Sequence, residues 1–379
     1  MQSAITGTRI FDGKAFHDRA ALILDGDRIA ALVPEAELPS DLPRRPMSGT
    51  LAPGFVDLQV NGGGGRMVDG STDLTFVRDL CALHRKLGTA GILPTLITDT
   101  PAAIAAVIHA GIAAARAQVS GFLGLHLEGP HLDPRRKGAH DPALIRPMTP
   151  EDLTRLCDAA RALPALMVTL APESATPDQI ATLTAAGAVV SLGHSDCSSD
   201  TAIAAHRAGA RTATHLFNAM SQIGNREPGL AGAVLTSDLS AGIIADGIHV
   251  HPATLRLALA AKPQGLFLVT DCMAFAGSDA TELLLNGRQV LRRDGRLTLS
   301  DGTLAGADLT MPRAIETLIR QAGCPPDRAL AMATSIPATV IGAANHIGHL
   351  RAGTAADLVL LAEDWSLSAV CSQGLWSDA

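Results

Sequence analysis

Four apolar runs in the sequence end on, or lead directly into, side chains that can bind a metal ion or move a proton. Glu128 closes LGLHLEGP, His194 closes VVSLGHS, His215 sits in TATHLFNAM and Asp271 ends LFLVTD. Two imidazoles and a carboxylate that leave a coordination position open make a zinc-type catalytic set. A carboxylate beside it, such as Asp271, can accept a proton from water and deliver it to a leaving amine. Each residue alone has an ordinary reading: a hydrogen-bonded core or loop histidine, or for Asp271 a helix cap or turn. Their joint placement at strand ends argues against coincidence. His126 lies two residues before Glu128, on the same side but deeper, which suits a supporting or core role. Cys197, three residues after His194, is expected to belong to the following helix and to stay outside the ligand set.

Convergence of such distant residues requires a scaffold. Apolar runs at 54–60, 91–97, 122–128, 165–171, 188–194, 212–217, 241–246 and 266–271 alternate with Ala-rich helical stretches. Eight βα units predict a closed (β/α)8 TIM-like barrel, whose C-terminal strand ends surround the active site. Gln59, Asn61 and Asp246 also fall at such ends. TGTRIFDG, AALILDG and DRIAALV near the start, and HLRAGTAADLVLLAED near the end, read as strands with turns. They are expected to pair into one small β-sandwich domain formed by both termini. The expected division is 1–51 and 345–379 for that domain and 52–344 for the barrel. Residues 276–310, with Asn-Gly and Asp-Gly signals, read as an inserted β-hairpin. The NGGGG stretch at 61–65 lacks the spacing and Lys of a P-loop and reads as a flexible βα loop.

Composition narrows the function class. The 379 residues are 47% hydrophobic and carry a formal charge of −7, the profile of a globular enzyme with a large core. No basic run and only 3% aromatic residues argue against a nucleic-acid partner, and an anionic substrate would need locally placed cations. Six cysteines without a C-x-x-C pair suit reduced thiols in the cytoplasm. Neither a signal peptide nor a membrane-spanning run is expected.

PGFVDLQVNG, GLHLEGPH with KGAH, LGHS, THLFNAM, NREPGLAGA, ADGIHV, LVTD and TLAGADLTM occur in this order between about 52 and 312. In that order the chain resembles the N-acetylglucosamine-6-phosphate deacetylases of the amidohydrolase superfamily. The resemblance implies one divalent metal ion per subunit on Glu128, His194 and His215, with Asp271 as general base and acid. It implies that His140 polarises the acetyl carbonyl and that Asn218 and Ala219 form a substrate-contacting turn. It implies that Arg226 and His249 grip the sugar phosphate, and that a homodimer supplies some phosphate contacts from the neighbouring subunit. Arg provides a planar fork for phosphate; the ordinary alternative for Arg226 is an ion pair with Glu227. Many amidohydrolases carry His-x-His on the first strand; Gln59-Val60-Asn61 here offers no good zinc ligand, so a mononuclear site is expected. Gln59 is then an outer contact, Leu309 is placed over the acetyl group or sugar, and His131 is placed along the pocket. Zn2+ suits the ligand set, while Fe2+, Mn2+ and Co2+ are compatible with it. Cys272 replaces a smaller residue of the family. Other N-acyl amino sugars, including N-acetylgalactosamine 6-phosphate, remain alternative substrates, and a barrel that binds without catalysing remains an alternative class.

Overall fold

The computed structural model describes residues 2–285 and 287–378. Eight parallel strands form one sheet in sequential order: β1 (Phe55–Val60), β2 (Thr89–Ile97), β3 (Leu125–Glu128) and β4 (Leu166–Leu170), then β5 (Val189–Leu192), β6 (Thr212–Ala213), β7 (Ser240–Ile243) and β8 (Leu266–Leu268). β1 is buried along its whole length, as expected for a parallel strand covered on both faces. The two end strands share no regular ladder. An isolated parallel bridge between Val60 and Cys272 closes the barrel. There the Asp271 amide donates to Gln59 O at 3.1 Å and the Asn61 amide to Cys272 O at 2.9 Å. The expected (β/α)8 barrel is therefore present, with its seam held next to the strand ends that carry the polar residues.

Helices alternate with the strands. α1 (Leu74–Lys86), α2 (Pro101–Arg116), α3 (Pro150–Ala162), α4 (Pro177–Ala185) and α5 (Ser199–Arg207) are capped by Asp73, Thr100, Thr149, Thr176 and Ser198 respectively, each accepting a backbone N–H from the first turn. Pro at the start of α2, α3 and α4 fits the same logic, because its missing N–H would have lacked a helical partner. Each such cap contributes about 1 kcal/mol and fixes the far end of a βα loop, the kind of loop from which the site is built.

Both termini meet in the smaller domain. A four-stranded sheet joins strands 28–34, 20–25, 2–6 and 44–46. A six-stranded sheet joins 375–378, 367–372 and 358–361 from the C-terminal part to 50–53, 9–11 and 16–17. Ile5, Ile10, Leu22, Leu51 and Leu358 fill the core of this domain.

The insertion is larger than a hairpin: antiparallel strands 282–285, 288–293, 296–299 and 304–307 form a separate sheet. Asp294-Gly295, both at positive φ, make one of its turns, whereas Asn286 of the Asn-Gly signal lies outside the described residues. Leu285, Val290 and Leu297 pack with Met273 and Phe275 into a core of their own. Arg292 ties the sheet down with a two-pronged bond to Asp308 at 2.8 and 2.7 Å. Among the described residues no helix is long and apolar enough to cross a membrane, and the six cysteines are free and buried.

Candidate active site

Glu128 is the last residue of β3, while His194 and His215 lie two residues beyond β5 and β6. Both histidines and Asp271 adopt left-handed backbone, with φ of 48°, 30° and 49°. For non-glycine residues such conformations cost about 1–3 kcal/mol each and persist only where the surroundings enforce them. They turn the chain sharply as it leaves the strand, at the rim of the barrel.

The three side chains meet. His194 Nε2 and His215 Nε2 are 3.2 Å apart, and Glu128 Oε1 lies 3.2 and 3.1 Å from them. The His194 Nδ1–H donates to Arg136 O at 2.8 Å, because a carbonyl only accepts; the Nε2 lone pair therefore faces the cluster. His215 Nδ1 is buried without a partner among the described residues. Two imidazole nitrogens and a carboxylate oxygen aimed at one point cannot all be satisfied by one shared proton. They fit a divalent cation, and these three residues form the one such group of potential ligands among the described residues.

Electrostatics agree with that crowding. Burial opposes ionisation of Glu128, yet the imidazoles of His194 and His215 set against it hold its carboxyl well below the usual range. For His215, burial disfavours the charged form, but the bond to Glu128 and its charge prevail and raise the pKa. Asp271 is pushed up to about 6, first by burial and then by the charge of Glu128. Its Oδ1 accepts from Asn61 Nδ2 at 2.7 Å and from Gln59 Nε2 at 3.1 Å, so Oδ2 is the oxygen left for other work.

His140 completes the ring of polar groups. The Thr98 backbone N–H donates to its Nδ1 at 3.2 Å, which places the ring proton of the neutral form on Nε2. Nε2 stands 3.7 Å from Glu128 Oε2. Burial and the neighbouring His194 push its pKa down to about 3, so the ring is a neutral donor.

A cavity of about 250 Å³ joins these groups. Asn61, Glu128, His140, His194, His215 and Asp271 line it, together with Asn218, Ala219 and His249. Met67, Ile97, Met273, Leu285, Leu304 and Ala305 form an apolar side, part of it contributed by the inserted sheet. His249 is oriented by Asp246, whose Oδ2 accepts from Nδ1 at 2.6 Å while Oδ1 takes the backbone N–H groups of Ile248 and His249.

Other expected site residues stand elsewhere. Gln59 lies beneath the cluster, where its amide nitrogen donates to both Glu128 Oε1 and Asp271 Oδ1 at 3.1 Å. Leu309 is buried in the main core and is not among the residues lining the cavity. Arg226 is exposed on the loop after β6, outside the cavity, and the alternative ion pair with Glu227 is absent among the described residues. Glu227 binds the backbone N–H groups of Ser199 and Gly229 instead, at 2.8 and 2.9 Å. His131 is also outside the cavity; it faces Arg146 O at 3.1 Å and Asp152. His126 is deeper, as expected, bonded to Leu58 O at 3.0 Å and to Thr169 Oγ1 at 2.7 Å. The NGGGG segment forms a short hairpin, Gly62–Gly63 with Arg66–Met67, which sets Met67 at the cavity wall. Sequence reasoning missed Thr98, a threonine with no distinguishing pattern, and Asp57, whose place inside an apolar strand was the available signal.

Comparison with known proteins places the chain in a family. Residues 50–374 fit the amidohydrolase family and residues 3–51 the NagA composite domain. An N-acetylgalactosamine-6-phosphate deacetylase from Shewanella sp. (strain ANA-3) is 41% identical, over 89% of this chain and 86% of that one. An N-acetylglucosamine-6-phosphate deacetylase from Haemophilus influenzae is 33% identical over 94% of each. The crystal structure of N-acetylglucosamine-6-phosphate deacetylase from Pasteurella multocida superposes with a TM-score of 0.95, at 35% identity and full coverage of both chains. The chain is thus a member of the amidohydrolase family, in the group that includes the N-acetylglucosamine-6-phosphate and N-acetylgalactosamine-6-phosphate deacetylases.

Proposed function

We propose that the protein hydrolyses the acetamide of N-acetyl-D-glucosamine 6-phosphate to D-glucosamine 6-phosphate and acetate. The observation that carries this reading is the convergence of Glu128, His194 and His215 within one cavity that also presents Asp271 and His140. Glu128 and the Nε2 atoms of His194 and His215 would hold one divalent cation, and Zn2+ suits that set best. When bound, such a cation supplies a Lewis acid that makes water acidic enough to lose a proton near neutral pH. Asp271 Oδ2 takes a proton from the attacking water and passes it to the departing amine, so the same carboxylate serves as base and then as acid. His140 donates its Nε2–H to the acetyl oxygen as charge develops there. Asn218, Ala219 and His249, which line the same cavity, bind the sugar phosphate. Arg226, exposed in the single chain, reaches the phosphate of a neighbouring subunit in a homodimer. In this reading residues 52–344 carry the chemistry, and 1–51 with 345–379 form the smaller domain.

The greater identity to the Shewanella protein supports a second substrate, N-acetylgalactosamine 6-phosphate, which differs only at the C4 hydroxyl. Acetate release from both 6-phosphates, from unphosphorylated N-acetylglucosamine and by the metal-analysed protein tests the proposal. Rapid turnover of the glucosamine derivative upholds it. Turnover confined to the galacto epimer moves the assignment to that sugar. No release from either, with one metal bound per chain, defeats both readings.

A further inference from the structure

One buried ionisable group is not used by that chemistry. Asp57, within β1, has no exposed surface, and burial pushes its carboxyl up to about 7. Among the described residues it forms no ion pair. It accepts from the Gln59 backbone N–H at 3.1 Å, from the Thr270 backbone N–H at 3.3 Å to each oxygen, and from Thr270 Oγ1 at 2.5 Å. A carboxylate without a counter-charge is a costly occupant of a barrel core, where an apolar side chain would serve packing better.

Its location accounts for it. β1 and β8 have no regular ladder, so the seam rests on the isolated Val60–Cys272 bridge and a few flanking bonds. Asp57 spans that seam, with one acceptor role toward Gln59 on β1 and the others toward Thr270 beyond β8. Both contacts adjoin residues of the site. Thr270 precedes Asp271 and its Oγ1 also accepts from the Cys272 backbone N–H at 3.3 Å, so the hydroxyl braces both sides of a left-handed residue. Gln59 joins Asp271 Oδ1 to Glu128 Oε1 through one amide nitrogen. A shift at the seam would therefore change the distance between the proton carrier and the ligand cluster.

We propose that Asp57, acting through the Thr270 hydroxyl, is a positioning residue that fixes Asp271 and Gln59 across the barrel seam; the proposal rests on the hydrolase reading above. The test uses the full chain loaded with Zn2+ and compares Thr270→Val, Thr270→Ser and Asp57→Asn with the unaltered protein. Metal content, Tm, kcat and KM for N-acetylglucosamine 6-phosphate are measured together. A misplacement of about 1 Å can cost on the order of 100-fold in rate, so kcat of Thr270→Val should fall by about 10- to 100-fold. Its KM and metal content should stay near those of the unaltered protein. Thr270→Ser keeps the hydroxyl and should recover most of the rate. If Thr270→Val does not fold, a selective loss of kcat in metal-loaded Asp57→Asn upholds the proposal, and unchanged kcat overturns it. Full kcat in folded Thr270→Val, or a Thr270→Ser enzyme as slow as the valine variant, also overturns it. If the unaltered, metal-loaded chain itself releases no acetate, the hydrolase reading fails and this inference falls with it.

Discussion

Replacing Asp271 with Asn isolates proton transfer from the rest of the site. Oδ1 of Asp271 accepts from Asn61 at 2.7 Å and Gln59 at 3.1 Å, and neither bond involves Oδ2. An asparagine can keep its one carbonyl oxygen in the Oδ1 position, so both bonds survive and the amide nitrogen replaces only Oδ2. Shape and packing are then preserved while the basic oxygen is lost. General acid–base catalysis by one group is worth about 10²–10⁴ in rate, which corresponds to roughly 3–5 kcal/mol of activation free energy. The Asp271→Asn enzyme should lose kcat by that factor while retaining one metal per chain, because Glu128, His194 and His215 are untouched. Its Tm should not fall, since the substitution removes a carboxylate that burial and Glu128 both disfavour in its charged form. Acetate release under saturating substrate, with metal analysis of the same sample, makes the measurement. Retention of more than about a tenth of the rate, well short of the loss expected for an acid–base group, would refute the role of Asp271. Loss of the metal together with the rate would instead make Asp271 a ligand.

Three further outcomes follow from the same geometry. Asp271 must be ionised to act as base, and its carboxyl is raised to about 6 without a cation nearby. A bound cation favours the carboxylate and lowers that value, so kcat/KM should rise with pH along a limb below 6 and level off above it; a limb above 7 contradicts the assignment. His140→Ala removes the Nε2–H donor but no ligand, so kcat should fall by about 10²–10³ with the metal retained; metal analysis beside the assay checks both halves. Away from the site, the Arg146 fork holds the Asp152 carboxyl well below its ordinary value. A depressed folded-state pKa gives stability that is present above the unfolded value of about 3.9 and lost as pH falls through the folded one. Arg146→Met should therefore lower Tm at pH 7 and flatten the acid part of the Tm–pH curve, and an unchanged curve would count against the pair.

The barrel and the cluster of potential metal ligands were legible because each rests on a local signal. Apolar runs of strand length mark the staves, and a polar residue closing a run marks the C-terminal rim, which is how Glu128, His194, His215 and Asp271 come together in the reading. What was hidden depends on contacts between distant segments. Nothing in TDT reveals that the Thr98 amide sets the tautomer of His140, since that bond joins residues 42 apart in sequence. Leu309 follows a loop-like string that resembles a substrate contact, yet the larger inserted sheet takes that side of the cavity with Leu285, Leu304 and Ala305 while Leu309 packs into the core. The left-handed backbone at His194, His215 and Asp271 is equally silent, because no glycine announces it. Asp57 is the instructive case between these extremes. An acid inside the apolar run FVDLQV breaks the pattern of a buried parallel strand, so the anomaly is visible in the sequence, but its meaning requires Thr270, which is 213 residues away. A pattern-breaking residue in an otherwise consistent element thus marks a place to look before the fold is known, and the fold then supplies its partner.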